Sequence, residues 1–150
     1  MNKDNPLEAD MVFLANIRKW QALETKAIAN TRNLMSKTGN PLIRMIMSVL
    51  EQDSKMHMIV QQMIIDYMTK ESVYIVPEDL DNIADMLNAH MEAEKEALRF
   101  AEEAIEKTDL YVTRVLLSYL VADEKKHHEL MEQLLHYNRV PETSSPHVCS

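Results

Sequence analysis

Apolar residues recur at every third or fourth position through four long segments of the chain, which is the periodicity of amphipathic helices. The breaks between these segments carry helix start and stop signals. Asn5-Pro6 and Asn40-Pro41 each place a capping side chain before a Pro in the first helical position, and Gly39 ends the first helix. The sequence therefore predicts an all-α chain with helices near residues 6–37, 41–68, 78–107 and 109–137.

Helical spacing selects one inward-facing stripe on each predicted helix, apolar at its ends and polar in its middle. The stripe is Phe13, Ile17, Trp20, Glu24, Ala27, Thr31 and Leu34 in the first helix, and Ile46, Leu50, Ser54, His57, Gln61 and Ile64 in the second. A four-helix bundle would bring the polar middles to one level. Because each uncompensated buried ion costs several kcal/mol, such a layer needs a metal, protons or water.

The helices form two similar pairs related by an offset of 70 residues. Residues 24–67 and 94–137 align without a gap and are identical at 11 of 44 positions. The matched pairs include Glu24 with Glu94, Asp53 with Asp123, and His57 with His127. We interpret this as an internal repeat with halves at about 6–69 and 76–137. Residues 138–150 are predicted to form a disordered tail after a bundle that spans 1–137.

The segment Asp123-Glu124-Lys125-Lys126-His127 lies within the stripe of the fourth helix. A carboxylate and an imidazole at i and i+3 are about 60° apart around the helix and about 4.5 Å apart along it. Glu124 and His127 can therefore point at one spot and share a metal. The first half carries a degraded copy, Asp53-Ser54-Lys55-Met56-His57, in which Ser54 stands in place of the glutamate.

This arrangement resembles the ferritin-like, rubrerythrin-like family of di-metal carboxylate proteins. In that family two helices each give one Glu, and two each give Glu-x-x-His, to the core of a four-helix bundle. The resemblance covers residues of about 10 to 137 and implies a ferritin-like four-helix bundle. It implies as metal ligands Glu24, His57, Glu94, Glu124 and His127. It also implies that Asp53 and Asp123 hold the far nitrogens of the histidines, and that the cofactor is iron, one or two ions per chain, with manganese or zinc as alternatives.

Ser54 departs from the family pattern and leaves three carboxylates with two neutral histidines. One divalent ion would leave this set at −1 and two would leave it at +1, so a mononuclear or lopsided site is an open alternative. Further ligand candidates are Ser54 itself, Glu51 and His90. Glu51 lies one turn toward the N-terminus and would have to bend back. His90 lies one turn from Glu94, and a core histidine with local hydrogen bonds is the competing interpretation.

Composition excludes several functional classes. With 150 residues, a single Gly and 5% aromatic residues, the chain is expected to form one largely helical domain. A net charge of −8 argues against a nucleic-acid partner. No stretch approaches 18 uncharged apolar residues and no leader segment is recognisable, so no membrane association is expected. The lone Cys149 and the missing leader favour a cytoplasmic protein.

Three functions remain open at the level of sequence. The chain is either an iron-dependent redox protein, a non-catalytic bundle for iron handling, or a degenerate interaction module that has lost the di-metal centre. Because no Cys-x-x-Cys pair is present, a redox protein would take electrons from a donor protein or from ferrous ion. A homodimer is also expected, because apolar residues lie outside the bundle stripes and two copies can bury them together. These flank residues are Met45, Met47, Ile59 and Ile65.

Overall fold

The computed structural model describes residues 6–70 and 76–137, and nearly all of them are helical. The helices are α1 (Pro6–Ser36), α2 (Pro41–Thr69), α3 (Pro77–Asp81), α4 (Ala84–Glu106) and α5 (Tyr111–Tyr137). No strand occurs in these two ranges, so the predicted all-α class is confirmed. Within the same ranges, no helix combines the length and the apolar character needed to cross a membrane.

The chain divides into two compact units, Met1–Val73 and Tyr74–Ser150. In the first unit α1 and α2 pack as an antiparallel hairpin, and in the second unit α4 and α5 do the same. The predicted halves, 6–69 and 76–137, each contain one hairpin. The predicted tail, 138–150, lies outside the described residues.

The turns of the two hairpins are closed by the same contacts at an offset of 70 residues. Arg44 Nη1 donates to the Met35 carbonyl at 2.7 Å, and Arg114 Nη1 donates to the Ile105 carbonyl at 2.9 Å. In each case an arginine from the second helix satisfies a carbonyl in the last turn of the first, where the helix dipole favours a positive charge. The arginines matched by the repeat therefore perform the same task in both units.

The start of the second unit differs from the sequence prediction, because one predicted helix over 78–107 is divided into α3 and α4. The break falls at Asn82 and Ile83, where Ile83 has φ −117° and ψ −2°. The Asp79 carboxylate accepts from the Val76 backbone N–H at 3.3 Å and holds the start of α3. Short polar side chains such as Asp81 and Asn82 favour turns over helix interiors, because they bond to nearby backbone groups.

The predicted inward stripe of the first unit has one buried edge and one exposed edge. Its buried members are Ile17, Glu24 and Thr31 on α1, at seven-residue intervals, and Ser54 and Gln61 on α2. Glu51 and Ile65, which lie outside the predicted stripe, are also buried on α2. The exposed edge, between 43% and 52% accessible, consists of Phe13, Trp20, Leu34 and Leu50. Five of the seven buried side chains are polar, so the seam between α1 and α2 is largely a polar one.

The burial of Ile65 corrects one sequence prediction. Ile65 was expected on an exposed flank, but it is only 5% accessible, on the buried edge of α2. Its spacing from Gln61 and Ser54 places it on the side of α2 that contacts α1. Ile59 does lie on an exposed flank, and Met45 and Met47 are half-buried.

Candidate metal centre

Three of the predicted ligands come together in the second unit. Glu94 reaches the cluster from α4, while Glu124 and His127 reach it from one face of α5. One ligand atom from each of the three lies within 4.8 Å of the other two. His127 Nδ1 is 3.7 Å from Glu94 Oε1 and 3.9 Å from Glu124 Oε2. The i and i+3 spacing on α5 and the facing glutamate on α4 therefore produce a compact set of one nitrogen and two carboxylates.

The two carboxyls of this cluster perturb each other in opposite directions. A hydrogen bond with Glu124, helped by His127 and His90, holds the pKa of Glu94 below its ordinary value despite burial. The same hydrogen bond, burial and the negative charge of Glu94 raise the pKa of Glu124. This pattern is that of two neighbouring carboxyls that share one proton, because both cannot ionise at close range without a cation.

The residues fit a divalent metal ion. With both carboxyls ionised, Glu94 Oε2 is buried and has no hydrogen-bond donor among residues 6–70 and 76–137. A buried carboxylate oxygen without a partner is costly, and either a proton on Glu124 or a cation satisfies it. Two carboxylates and one imidazole suit iron, manganese or zinc, and two negative charges balance one divalent ion.

His90 and Asp123 lie around this cluster. His90 Nε2 is 3.0 Å from Glu94 Oε1, and both residues are on α4. Asp123 Oδ2 is 3.6 Å from His127 Nε2, the nitrogen that faces away from the two glutamates. Asp123 also pairs with Lys126. The role of Asp123 in orienting His127 stays a prediction.

In the first unit Glu24 and His57 lie together, but Glu24 has different hydrogen-bond partners from Glu94. Glu24 Oε1 is 3.1 Å from His57 Nδ1 and accepts from Trp20 Nε1 at 2.9 Å. Burial raises the pKa of Glu24, but the Ser54 hydroxyl, His57 and Trp20 together outweigh burial and lower it. Glu24 is therefore surrounded by donors, and the second carboxylate that Glu124 supplies in the other unit is missing.

Glu51 is engaged by cations. Arg32 Nη2 and Lys55 Nζ lie 2.9 Å and 2.8 Å from Glu51 Oε1. Hydrogen bonds with Lys55 and Arg32 lower the pKa of Glu51. Before Glu51 could replace the missing carboxylate of Ser54, it would have to leave both partners. Asp53 is half-buried, and among the described contacts none joins it to His57.

The five predicted ligands are thus divided between the units: Glu24 and His57 in the first, Glu94, Glu124 and His127 in the second. Within each unit the glutamate of the first helix meets the histidine of the second helix at the same separation of 33 residues along the chain. The convergence of all five residues on one layer stays a prediction.

Two residues of the first unit were not identified as functional from the sequence. Trp20 bonds directly to Glu24, and the repeat could have revealed this role because His90 occupies the matching position beside Glu94. Gln61 is only 3% accessible, and neither its amide nitrogen nor its amide oxygen has a hydrogen-bond partner within the described residues. The seven-residue interval from Ser54 to Gln61 was the available signal.

Comparisons with family models, with curated proteins and with solved structures gave no match to this chain. The ferritin-like family therefore stays a prediction that rests on the sequence motifs.

Proposed function

We propose that the chain is a ferritin-like metal-binding protein that holds a divalent ion, with iron as the natural metal, at Glu94, Glu124 and His127. The observation that carries the proposal is the buried Glu94 Oε2, which, with both carboxyls ionised, has no donor among the described residues and lies beside a second carboxyl and an imidazole. Iron bound there would serve either in redox chemistry with oxygen or peroxide, or as cargo in iron handling.

Each residue of the second-unit site would have its own role in binding the ion. Glu94 and Glu124 supply two negative charges that one divalent ion neutralises, and His127 adds a neutral nitrogen ligand. Asp123, near the other ring nitrogen, favours the tautomer in which His127 Nδ1 carries the lone pair toward the cluster. This chain has no Cys-x-x-Cys pair, so an electron-donor protein or ferrous ion itself would supply electrons to a redox reaction.

The charge balance favours one ion per chain. The second unit alone reaches neutrality with one divalent ion. In the first unit, Glu24 is already satisfied by Trp20, His57 and Ser54, so a second ion would have to displace hydrogen bonds and would find no second carboxylate beside Glu24. The proposed site is an incomplete di-metal centre. All the ligands of its one ion come from the second unit.

The proposal includes a four-helix bundle made from the two hairpins and a homodimer of such bundles. The bundle is supported by the repeat and by the exposed edge of the first unit, which carries Phe13, Trp20, Leu34 and Leu50 beside Glu24. Exposed apolar side chains that flank a polar layer are the residues that a second hairpin would bury.

Metal analysis of the purified chain tests this function. Untagged protein, prepared without chelators and then loaded with Fe²⁺ under anaerobic conditions, should retain about one ion per chain after desalting. Glu94→Gln should abolish retention. Glu129→Gln, which changes an exposed glutamate of α5, is the matched control and should bind as the parent does. A parent that retains no metal, or only substoichiometric zinc, would refute the proposal.

The contacts around Glu24 favour a second candidate, a helical interaction module that has lost its metal centre. Trp20, Ser54 and His57 satisfy Glu24 without an ion, and a proton shared between Glu94 and Glu124 would do the same in the second unit. In that case the same loading experiment would return substoichiometric zinc or no metal.

A further inference from the structure

Methionines are concentrated on α2, and two of them lie on an exposed side of this helix. Six of the twelve methionines of the chain fall within Pro41–Thr69. Met56 and Met63 are 57% and 54% accessible. Both belong to a set of exposed residues at helical spacing, which we call the exposed α2 stripe: Met56, Ile59, Val60, Met63 and Tyr67. Two thioether sulfurs therefore lie within one exposed apolar surface.

The exposed α2 stripe carries no charge, in contrast to the other repeat. At the matching positions of α5, Lys126 and Glu129 are charged and Gln133 is polar. Two copies of a chain with a net charge of −8 repel one another, and an uncharged surface is where they can approach with the least repulsion. In a two-fold dimer the same surface of each copy meets its equivalent. A second copy of the chain is therefore the partner that fits this stripe.

We infer that Met56 and Met63 are oxidation sites, and that their conversion to methionine sulfoxide by hydrogen peroxide weakens the association of two copies of the chain. In this reaction one peroxide oxygen is transferred to the thioether sulfur and the O–O bond breaks. The other oxygen leaves with both protons as water, so the sulfur loses two electrons and the peroxide gains them. The inference rests on the proposed homodimer and adds a way in which its formation is regulated.

Access to the sulfur distinguishes the two stripe methionines from others on the same helix. Met45, Met47 and Met58 are half-buried, and Met58 Sδ lies 3.9 Å from Thr25 Oγ1 on α1. A peroxide reaches an exposed sulfur more easily than a half-buried one. In a chain that is not associated, the stripe methionines are therefore the α2 sulfurs that we expect to react first.

A sulfoxide changes the chemistry of the stripe. Oxidation turns a flexible apolar side chain into a polar one that carries a hydrogen-bond acceptor. The side chains of Ile59 and Val60, which lie between the two methionines, offer no donor to this oxygen. Burying one such unsatisfied acceptor against a second copy should weaken association by about 10-fold. Oxidised chains should therefore separate at concentrations where the parent is a dimer.

Sedimentation before and after treatment with hydrogen peroxide tests the inference. All proteins carry Cys149→Ser, which removes the thiol as a second target of the oxidant. Oxidation should raise the dissociation constant of the parent dimer by at least about 10-fold. Peptide mass spectrometry should find sulfoxide at Met56 and Met63. Treatment with the two methionine sulfoxide reductases, one for each sulfoxide epimer, should restore the dimer.

Two double variants separate the stripe methionines from equally accessible ones. Met56→Leu with Met63→Leu keeps the volume and the apolar character of the stripe, so this variant should stay dimeric after oxidation. Met11→Leu with Met86→Leu is the matched control, because these methionines are 71% and 65% accessible but lie on α1 and α4. The control should lose its dimer on oxidation as the parent does.

Two results would overturn the inference while leaving the homodimer intact. One is a parent that stays dimeric although Met56 and Met63 are both oxidised. The other is an equal loss of association in the Met56→Leu, Met63→Leu variant, because the sensitive group would then lie elsewhere. A parent that is monomeric before any oxidation would refute the proposed homodimer and the inference together.

Discussion

Ser54 and Glu124 occupy the same place in the two repeats and give the facing glutamate different surroundings. Beside Glu24, the Ser54 hydroxyl helps to lower the pKa of the carboxyl. Beside Glu94, the second carboxyl of Glu124 creates a repulsion that only a proton or a cation removes. The exchange of serine for glutamate at this place, together with the Trp20 donor to Glu24, therefore separates a satisfied carboxylate from one that requires a positive charge.

Ser54→Glu should convert the first unit to the chemistry of the second. Without metal the variant should unfold at a lower temperature than the parent, because it gains a buried acid. With Fe²⁺ or Mn²⁺ it should gain more stability than the parent, by about 2.7 kcal/mol for an additional site at a hundredfold excess of metal over the dissociation constant. Thermal melts with chelator and with metal measure both effects.

The control for this prediction is Ser48→Glu, which adds the same charge at an exposed position of α2. Metal should raise the unfolding temperature of this variant as much as it raises that of the parent. If metal raises the unfolding temperatures of Ser54→Glu and of the parent equally, position 54 is not at a metal site and the alignment of the two motifs is wrong.

Glu124→Gln should distinguish the destabilisation caused by two neighbouring carboxyls from their contribution to metal binding. Because the pKa of Glu124 is raised in the folded state, protonated Glu124 stabilises that state at pH values below its ordinary pKa of 4.5. This stabilisation is lost as the pH rises through the higher pKa of the folded state. The glutamine amide donates to Glu94 at every pH. The metal-free variant should therefore lose less stability than the parent as pH rises above 4.5. Added metal should not raise its unfolding temperature.

Urea unfolding at several pH values measures this effect, with Glu129→Gln as the exposed control. If Glu124→Gln keeps the pH dependence of the parent, the raised pKa belongs to a different group.

At the scale of the element, each hairpin has an arginine that joins the two helices across the turn. Arg114 Nη1 donates to the carbonyls of both Ile105 and Thr108, at 2.9 Å and 3.1 Å. Arg44 donates to the Met35 carbonyl. These carbonyls belong to the end of a helix and its turn, where they lack intrahelical partners.

Arg44→Ala and Arg114→Ala should each lower the free energy of unfolding by about 1 kcal/mol, the size of a charge-assisted hydrogen bond discounted for exposure. Arg18→Ala removes an exposed arginine from the middle of α1 and should change stability by less than about 0.5 kcal/mol. Urea titrations of the three variants provide the comparison. Equal effects at all three positions would contradict a specific role of the turn arginines.

The helices were largely predictable from sequence because capping and apolar periodicity are local signals. Asn40 accepts from the backbone N–H groups of Leu42 and Ile43, as its place before Pro41 indicated. The break at Asn82 was missed because Leu80, Ile83 and Leu87 keep helical spacing across it. The partners of individual side chains, such as Arg32 with Glu51, depend on the pairing of two helices, and helical spacing alone does not specify that pairing.

At the scale of the whole molecule, the repeats differ on an exposed side of α2. Exposed apolar residues run along it, at 48–57% accessibility: Met56, Ile59, Val60, Met63 and Tyr67. At the matching positions of α5, Lys126, Glu129 and Gln133 replace Met56, Ile59 and Met63. An uncharged stripe on one repeat alone is typical of a surface that another protein covers.

We expect a second copy of the chain to cover this stripe, because an uncharged apolar surface complements itself in a two-fold dimer. The double variant Ile59→Glu and Met63→Glu should sediment as a monomer at concentrations where the parent is a dimer. Leu130→Glu, a charge placed at an exposed apolar residue of α5, should stay dimeric. A parent that sediments as a monomer at every concentration would refute the prediction.

The arginine-closed turns also bear on how the chain acquires its structure. The hydrogen bonds and ion pairs between α1 and α2 join residues at most 41 positions apart, and the Glu94–His127 pair is separated by 33 positions. Contacts this local have a small loop-closure cost, and helical proteins with such contacts fold in microseconds to milliseconds. During synthesis at about 5–20 residues per second, the first hairpin emerges several seconds before its counterpart 70 residues later. The first Glu–His pair can therefore close while the residues that complete the second are still being added to the chain.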